Sequence, residues 1–424
     1  TQYEKADTQA FAELKGVAGG SIYTGEESTV VWDVNVPADG LYAINVLYYT
    51  ITGKSSDIER ALTIDGEQPF TEAAALVFPR VWKDGEEGIR KDINGNDVRP
   101  ESVEVNGWYD IDCRDSSGNY GERLYFYFTK GKHTLQLDSE REAMIINRLT
   151  FHVPEGVVSY AQLKEEYAAA GYAYGTDASV EEDSVSVKVQ AEQPVEKSST
   201  TLYAEYRTSA IMEPYSFDTI ALNEIDGGKF TSPYQWMTWE LNVKEAGLYK
   251  IVTRYQQSSK DGSFSNRTLY VNGEIPCEEA KHIRFEYNSN WQVQTITTAA
   301  GEEMYFYFDE GINTITLEVT LGEFADILDR EIKPLGIAEW KRPTGGYFIS
   351  LNAMPGTAKR TWQLCKEAGV TLTTAGAAYP NSNNPKDDHL RIAPSLPPVE
   401  DLEKAMEVLT TALKLAALEK LLNQ

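Results

Sequence analysis

Val31-Trp32-Asp33-Val34-Asn35-Val36 runs through Gly40-Leu41-Tyr42 into Ile44-Asn45-Val46-Leu47-Tyr48-Tyr49. The pattern returns as Thr238-Trp239-Glu240-Leu241-Asn242-Val243, Gly247-Leu248-Tyr249 and Ile251-Val252-Thr253-Arg254-Tyr255, 207 residues later throughout. The same offset carries Arg60-Ala61-Leu62-Thr63-Ile64-Asp65-Gly66 onto Arg267-Thr268-Leu269-Tyr270-Val271-Asn272-Gly273, and Glu72-Ala73 onto Glu279-Ala280. Further on, Gly121-Glu122, Tyr125-Phe126-Tyr127-Phe128 and Gly131 recur as Gly301-Glu302, Tyr305-Phe306-Tyr307-Phe308 and Gly311 at an offset of 180. A run of matches at constant offset is the mark of an internal repeat. The shorter second offset gives the first copy about 27 extra residues.

Within each copy, apolar and polar residues alternate, as in Trp239, Leu241 and Val243 against Glu240, Asn242 and Lys244. A period of two marks half-buried strands. Asp65-Gly66 and Asn272-Gly273 are hairpin turns, because these residues tolerate positive φ. The expected fold is mainly β: two tandem antiparallel, jelly-roll-like β-sandwich modules followed by a small α/β (α+β) domain. The expected boundaries are 1–153 and 184–328 for the sandwiches. Residues 154–183 hold a short helix (Tyr160 to Tyr172) and an acidic linker (Gly175 to Asp183), and 332–424 form the last domain.

Composition excludes several functions. Lys and Arg total 39 against 65 Asp and Glu, a net charge of −26, which opposes nucleic-acid binding. No run approaches ~20 apolar residues, so no transmembrane segment is expected. Cys113, Cys277 and Cys365 form neither a disulfide framework nor a zinc motif. The chain starts Thr1-Gln2-Tyr3, and an extracellular or cell-surface location with a trimmed export segment is the expectation. Charge also divides the chain. Residues 332–424 hold 11 Lys/Arg and 9 Asp/Glu, while the preceding 331 hold 28 and 56.

The Trp strand, the Ala246-Gly247-Leu248-Tyr249 turn, the Arg267 to Gly273 hairpin and Gly311-Ile312-Asn313-Thr314-Ile315 resemble the carbohydrate-binding β-sandwich modules of the family 6 and family 35 type. The tandem also resembles the N-terminal portion of bacterial extracellular solute-binding lipoproteins of sugar ABC transporters. Val319-Thr320-Leu321-Gly322-Glu323-Phe324-Ala325-Asp326-Ile327-Leu328 is similar to the point where that family leaves its second sandwich. The resemblance implies a glycan or oligosaccharide partner. Amphipathic aromatic rings outside the regular alternation are the candidate stacking platforms. Trp82 and Trp236 lack a partner in the other copy, and with Tyr109 and Tyr234 they are the sugar-binding candidates. Trp108 and Trp291 occupy matching places and read as core rings, as do Trp32 and Trp239. The resemblance also implies a structural calcium near the first strand, where Gln190-Ala191-Glu192 matches the motif's start; Glu192 is the metal candidate. Asp92-Ile93-Asn94-Gly95-Asn96-Asp97 echoes a calcium loop, but its glycine falls two places early and no twelfth-position Glu follows, so a solvated Asx turn is expected. His133, His152 and His282 stand in or beside strands as structural histidines. No two carboxylates are singled out for glycosidase chemistry, and no nucleophile elbow or phosphate loop is present.

Past Pro334 the period changes. Gly345 to Leu351, Val370 to Ala375 and His389 to Ala393 read as strands. Pro355 to Gly369 reads as a helix with Ala358, Trp362 and Cys365 on one face. A long helix opens at Pro398, with acidic residues suiting its dipole and Leu402, Met406, Leu409, Leu413, Ala417 and Leu421 on its apolar face. Gly336-Ile337-Ala338-Glu339-Trp340, Pro343-Thr344-Gly345-Gly346-Tyr347-Phe348 and Leu390-Arg391-Ile392-Ala393-Pro394-Ser395 resemble the C-terminal small domain of fold-type I, pyridoxal-phosphate-dependent aspartate/aromatic aminotransferases. By that resemblance Arg391 grips a substrate carboxylate; the alternative is a surface Arg pairing with Asp387 or Asp388. The family's large domain and Schiff-base lysine would precede this segment, where the sandwiches stand instead. No pyridoxal phosphate binding and no catalysis are therefore expected, and no cofactor besides the structural calcium that the sandwich resemblance implies. A tail without that packing surface is expected to expose apolar patches and to self-associate. The abrupt junction near Leu328 to Pro334 reads as a join not selected as one working machine: an engineered fusion, an accidental gene joining or a genome-assembly error.

Overall fold

The computed structural model describes residues 2–3, 9–86, 88–116, 123–153, 156–174, 187–225, 228–258, 264–298, 300–320, 328, 332–341, 349–379, 384–392 and 399–422. The chain divides into two compact units. One holds Thr1–Tyr249, Thr268–Glu278 and Tyr307–Val319; the other holds Lys250–Arg267, Glu279–Phe306 and Thr320–Gln424.

In the first unit, the first copy of the repeat is a two-layer antiparallel sandwich. One sheet orders Gln2–Tyr3, Thr29–Val36, Gly131–Arg141, Ile58–Ile64, Leu76–Phe78 and Arg114–Asp115. The other sets Trp108–Asp112 beside Gly40–Thr50, Met144–His152, Val17–Thr24 and Gln9–Leu14, with Tyr125–Phe128 also paired to Gly40–Thr50. Inward residues of both sheets, among them Val30, Ile44, Tyr48, Phe78, Phe126 and Leu135, form one core. The alternation read from the sequence is therefore the alternation between core and outer face.

The repeat is visible in its turns as well as its strands. Asp65 and Gly66 sit at φ 53° and 82°, and Asn272 and Gly273 at 52° and 86°. In both hairpins the Asx side chain accepts a bond from a neighbouring strand: Thr134 N to Asp65 Oδ1, and Thr314 N to Asn272 Oδ1, each 2.8 Å. The Gly-Leu-Tyr element makes a tyrosine corner twice. Tyr42 OH donates to Ala38 O at 2.9 Å and Tyr249 OH to Glu245 O at 2.5 Å. The motif arginines are structural. Arg60 is buried, and its guanidinium donates to the carbonyls of Glu59, Arg141 and Glu142 and to Thr24. Burial, reinforced by Arg80, pulls it down to about 9; burial pulls its counterpart Arg267 down to about 10.

The extra residues of the first copy are not a surface loop. Val81–Asp84 and Ser102–Val105 form a hairpin arm, and Val81–Asp84 pairs onward with Glu196–Lys197. Glu196–Lys197 pairs in turn with Trp236–Val243, which pairs with Gly311–Thr320. The first copy thus supplies two strands to the second copy's sheet. Lys197 is buried and donates to Asp84 Oδ1 at 2.6 Å. At the arm's base, fully buried Arg80 meets Glu104 and Glu142, the latter at 3.1 Å, and also donates to Ser56 O and Ile51 O. Two carboxylates and two carbonyls give the guanidinium the partners that a buried charge requires. A Cβ on Gly53 would collide with Glu142 and Arg80, so this position has no room for a side chain. At the arm's tip, Asp92 Oδ1 accepts the N–H of Asn94 (2.7 Å) and of Asn96 (2.9 Å), the expected Asx turn.

In the second unit, Val252–Gln257 pairs with Asn288–Thr295, and Phe264–Arg267 with Ile283–Glu286. The tail is a three-stranded antiparallel sheet, Ala338–Lys341, Ile349–Ala353 and His389–Ile392, with helices Ala358–Glu367 and Val399–Leu422. Ile349, Leu351, Cys365, Leu390, Met406 and Leu409 belong to its core. Val370 to Ala375, expected as a strand, does not pair. Trp362 Nε1 donates to Leu372 O at 3.2 Å and Val370 N caps the helix on Cys365 O, so this backbone is committed to the helix end. Of the last helix's expected apolar face, Met406, Leu409, Leu413 and Ala417 are buried, while Leu421 is exposed. The Gly175 to Asp183 linker, Pro343 to Phe348 and Ala393 to Ser395 lie outside the described residues.

Candidate functional site

The four sequence-predicted aromatics stand in different settings. Trp82 is 7% exposed within the arm, so its ring is no open platform; it lacks a counterpart because the arm does. Tyr109 faces inward: its ring packs against Tyr48, with centroids 5.9 Å apart, and its OH donates to Val105 O at 2.9 Å. Burial first, then Glu196 and Glu104, raise its phenol well above the ordinary range. Tyr234 and Trp236 adjoin a polar seam instead. Arg114 of the first copy meets both Glu318 oxygens, at 3.0 and 3.2 Å, and Tyr270 donates to Glu318 at 3.3 Å. Tyr234 OH donates to Asp115 at 3.0 Å with Arg114 over its ring. Trp236 is half-buried opposite Glu318 in strand register. These groups satisfy one another, which commits the Tyr234 hydroxyl, carried on a turn, to Asp115.

Glu192 is buried, with one carboxylate oxygen lacking a hydrogen-bond partner. Burial, together with Glu213, raises its pKa. Among the described residues no three His, Cys, Asp or Glu side chains converge to hold a metal. Arg391 is half-buried, opposite Ser350 in the tail sheet.

The arrangement suited to a flat polyhydroxyl ligand lies on the outer face of the first sandwich. Trp108–Asp112 and Tyr125–Phe128 follow one another along the same edge of Gly40–Thr50, with Met144–His152 on the other edge. Period two turns Phe126 and Phe128 inward and leaves Tyr125 and Tyr127 outside. Tyr127 is 61% exposed, and its strand partner Leu41 is 56% exposed. At the far end Trp108 packs edge-on against Tyr49, 5.3 Å between centroids. Tyr109 thus turns to the core side of its strand, and the half-buried Trp108 to the outer side. In a strand such neighbours must lie on opposite faces, and the buried row of Gly40–Thr50 decides which is inside.

Between the aromatic ends runs a polar middle. Asp112 accepts from Arg123 at 2.5 Å and lies 2.8 Å from His152 Nε2. Asp110 pairs with Arg148 at 3.3 Å. Tyr49 and Leu41 are eight residues apart along their strand, about 26 Å at ~3.3 Å per residue. Rings at both ends with planar carboxylate and guanidinium groups between them offer stacking surfaces and hydroxyl partners along one line.

Residues 317–424 match the family described as aspartate amino-transferase. Over 125 residues the chain is 45% identical to the aspartate aminotransferase of Corynebacterium glutamicum; that match covers 28% of this chain and 29% of the relative's length. The chain therefore spans under a third of that relative. Structure comparison finds a family 35 carbohydrate-binding module from Clostridium thermocellum, at 12% identity and TM-score 0.20, covering 35% of this chain and 90% of that one. It also finds a carbohydrate-binding module of a Cellvibrio mixtus lichenase in complex with cellotriose, at 12% identity and TM-score 0.18, covering 37% and 92%. The chain thus carries an aminotransferase-like C-terminal region, and carbohydrate-binding modules stand among the structural neighbours of its β-rich portion.

Proposed function

We propose that the chain is a non-catalytic glycan-binding protein, with the outer face of the first sandwich as its binding surface and Tyr127, at one end of the row, as the principal stacking ring. The observation that carries this reading is an outward row of rings and planar polar groups, from the exposed Tyr127 and Tyr125 through Asp112, Arg123 and Asp110 to the half-buried Trp108. The dominance of carboxylates in the chain, at net −26, favours neutral oligosaccharides over acidic ones. The protein works outside the cell or at its surface, as the front part of a sugar-transporter solute-binding protein joined to an aminotransferase fragment. Calorimetric titration with β-1,4-linked hexaoses (cellohexaose, xylohexaose, mannohexaose) tests it. Binding is expected to at least one, weakened about tenfold by Tyr127→Ala, in line with ~0.5–1.5 kcal/mol for a ring contact. No binding to any of the three by folded protein overturns the reading.

The tail is proposed to hold no pyridoxal phosphate, since it corresponds to a small part of the relative it matches. Added pyridoxal phosphate is expected to give no internal-aldimine absorbance. Leu415, Leu418 and Leu422 are exposed on the last helix, which supports self-association through the tail. Light scattering is expected to show a mass above that of one chain, shifted downward by Leu418→Glu with Leu422→Glu.

A further inference from the structure

In the second copy the place of Tyr127 belongs to Tyr307, and that of Leu41 to Leu248. There the platform is occupied. The ring of Tyr172 lies flat on Tyr307, with centroids 3.8 Å apart and 13° between planes. Leu248, against the 56% exposed Leu41, is only 7% exposed. The covering segment is well anchored. Its helix, Tyr160–Ala169, starts in a capping box between Ser159 and Gln162 and buries Tyr160 and Leu163. After Gly171 turns the chain at φ 73°, Leu248 N donates to Ala173 O at 2.9 Å. Tyr167 OH accepts from Tyr307 N at 3.4 Å.

We propose that the second sandwich carries a latent glycan-stacking site on Tyr307, which the chain's own Tyr172 ring fills as a built-in competitor. The inference rests on the reading of Tyr127 as a glycan platform. A planar ring parallel to a tyrosine is the pose in which a pyranose presents its C–H face to an aromatic. The ligand class is the same, a neutral β-linked oligosaccharide, and the linker sets how many sites the tandem shows.

The test is binding stoichiometry on the full chain, by calorimetry with the three hexaoses named above. Wild type is expected to bind one hexaose per chain and Tyr172→Ala two. The double change Tyr172→Ala with Tyr307→Ala returns the count to one. Tyr172→Thr, which removes the ring with less freedom for the backbone, is read in the same way should the alanine variant lose its native circular dichroism. A stoichiometry of one in natively folded Tyr172 variants overturns the latent site while leaving the Tyr127 reading intact. Two sites in wild type overturns the masking. No binding by wild type removes both.

Discussion

The strands Tyr125–Phe128 and Tyr305–Phe308 share the sequence Tyr-Phe-Tyr-Phe and bury the same two phenylalanines, yet their outer faces differ. Tyr127 stands open, whereas Tyr307 lies under Tyr172. The duplicated strands fix what is inside. Segments that are not duplicated, the arm of the first copy and the helix between the copies, decide what is accessible. Core burial and outer-face accessibility are thus set by different parts of the sequence, and the two copies can be perturbed separately.

The largest asymmetry is the buried Arg80, whose matching position in the second copy is Tyr287. Arg80→Met strands Glu104 and Glu142 in the interior. It is expected to cost about 3–5 kcal/mol in urea unfolding; a loss below 1 kcal/mol would show that the arm's base is not held by this charge. Arg114→Met cuts the seam between the copies. Leaving Glu318 without its guanidinium is expected to cost about 1–3 kcal/mol and to separate the single unfolding transition of the first unit into two. An unchanged single transition would mean that the arm alone couples the copies.

The smallest effect distinguishes the two hairpins. Asp65 lies 2.7 Å from His133 Nδ1, whereas the other hairpin has Asn272 in the place of Asp65. The Asp65 hydrogen bond, followed by the Thr129 carbonyl, raises the pKa of His133, and the same contact lowers that of Asp65. The raised histidine adds stability that is full below its unfolded value near ~6.5 and fades as pH rises through its folded value. The lowered aspartate adds stability that is present above ~3.9 and is lost as pH falls through its folded value. His133→Gln should therefore lower the melting temperature slightly between these limits and not at all at alkaline pH. A difference that grows with pH would contradict this pairing.

Most of the scaffold was legible because period two and constant offsets need only local sequence. The half-buried strands follow from the period and the duplication from the offsets, and the residue types mark both hairpin turns. The Asx turn at Asp92 was likewise readable from residue types. The arm was not, because strand pairing between Val81–Asp84 and Glu196–Lys197 is a non-local event with no periodic mark. That gap misplaced Trp82, which looked unattached and is buried. The contacts of Tyr234 were hidden for the same reason, its partners Asp115 and Arg114 lying more than a hundred residues away. Trp108 and Tyr109 show a subtler limit: alternation fixes that neighbours oppose each other, while the sense is set by the strands they pair with. Tyr125 and Tyr127 carried a usable signal, since a tyrosine alternating with phenylalanine in one strand marks the wet side.

Nuclear magnetic resonance of selectively ring-labelled tyrosines, titrated with whichever hexaose binds, tests the central claim most directly. The account predicts that Tyr127 and Tyr125 signals shift with saturation while those of Tyr109, Tyr234 and Tyr307 stay in place. Shifts at Tyr109 or Tyr234 with Tyr127 unmoved would contradict it.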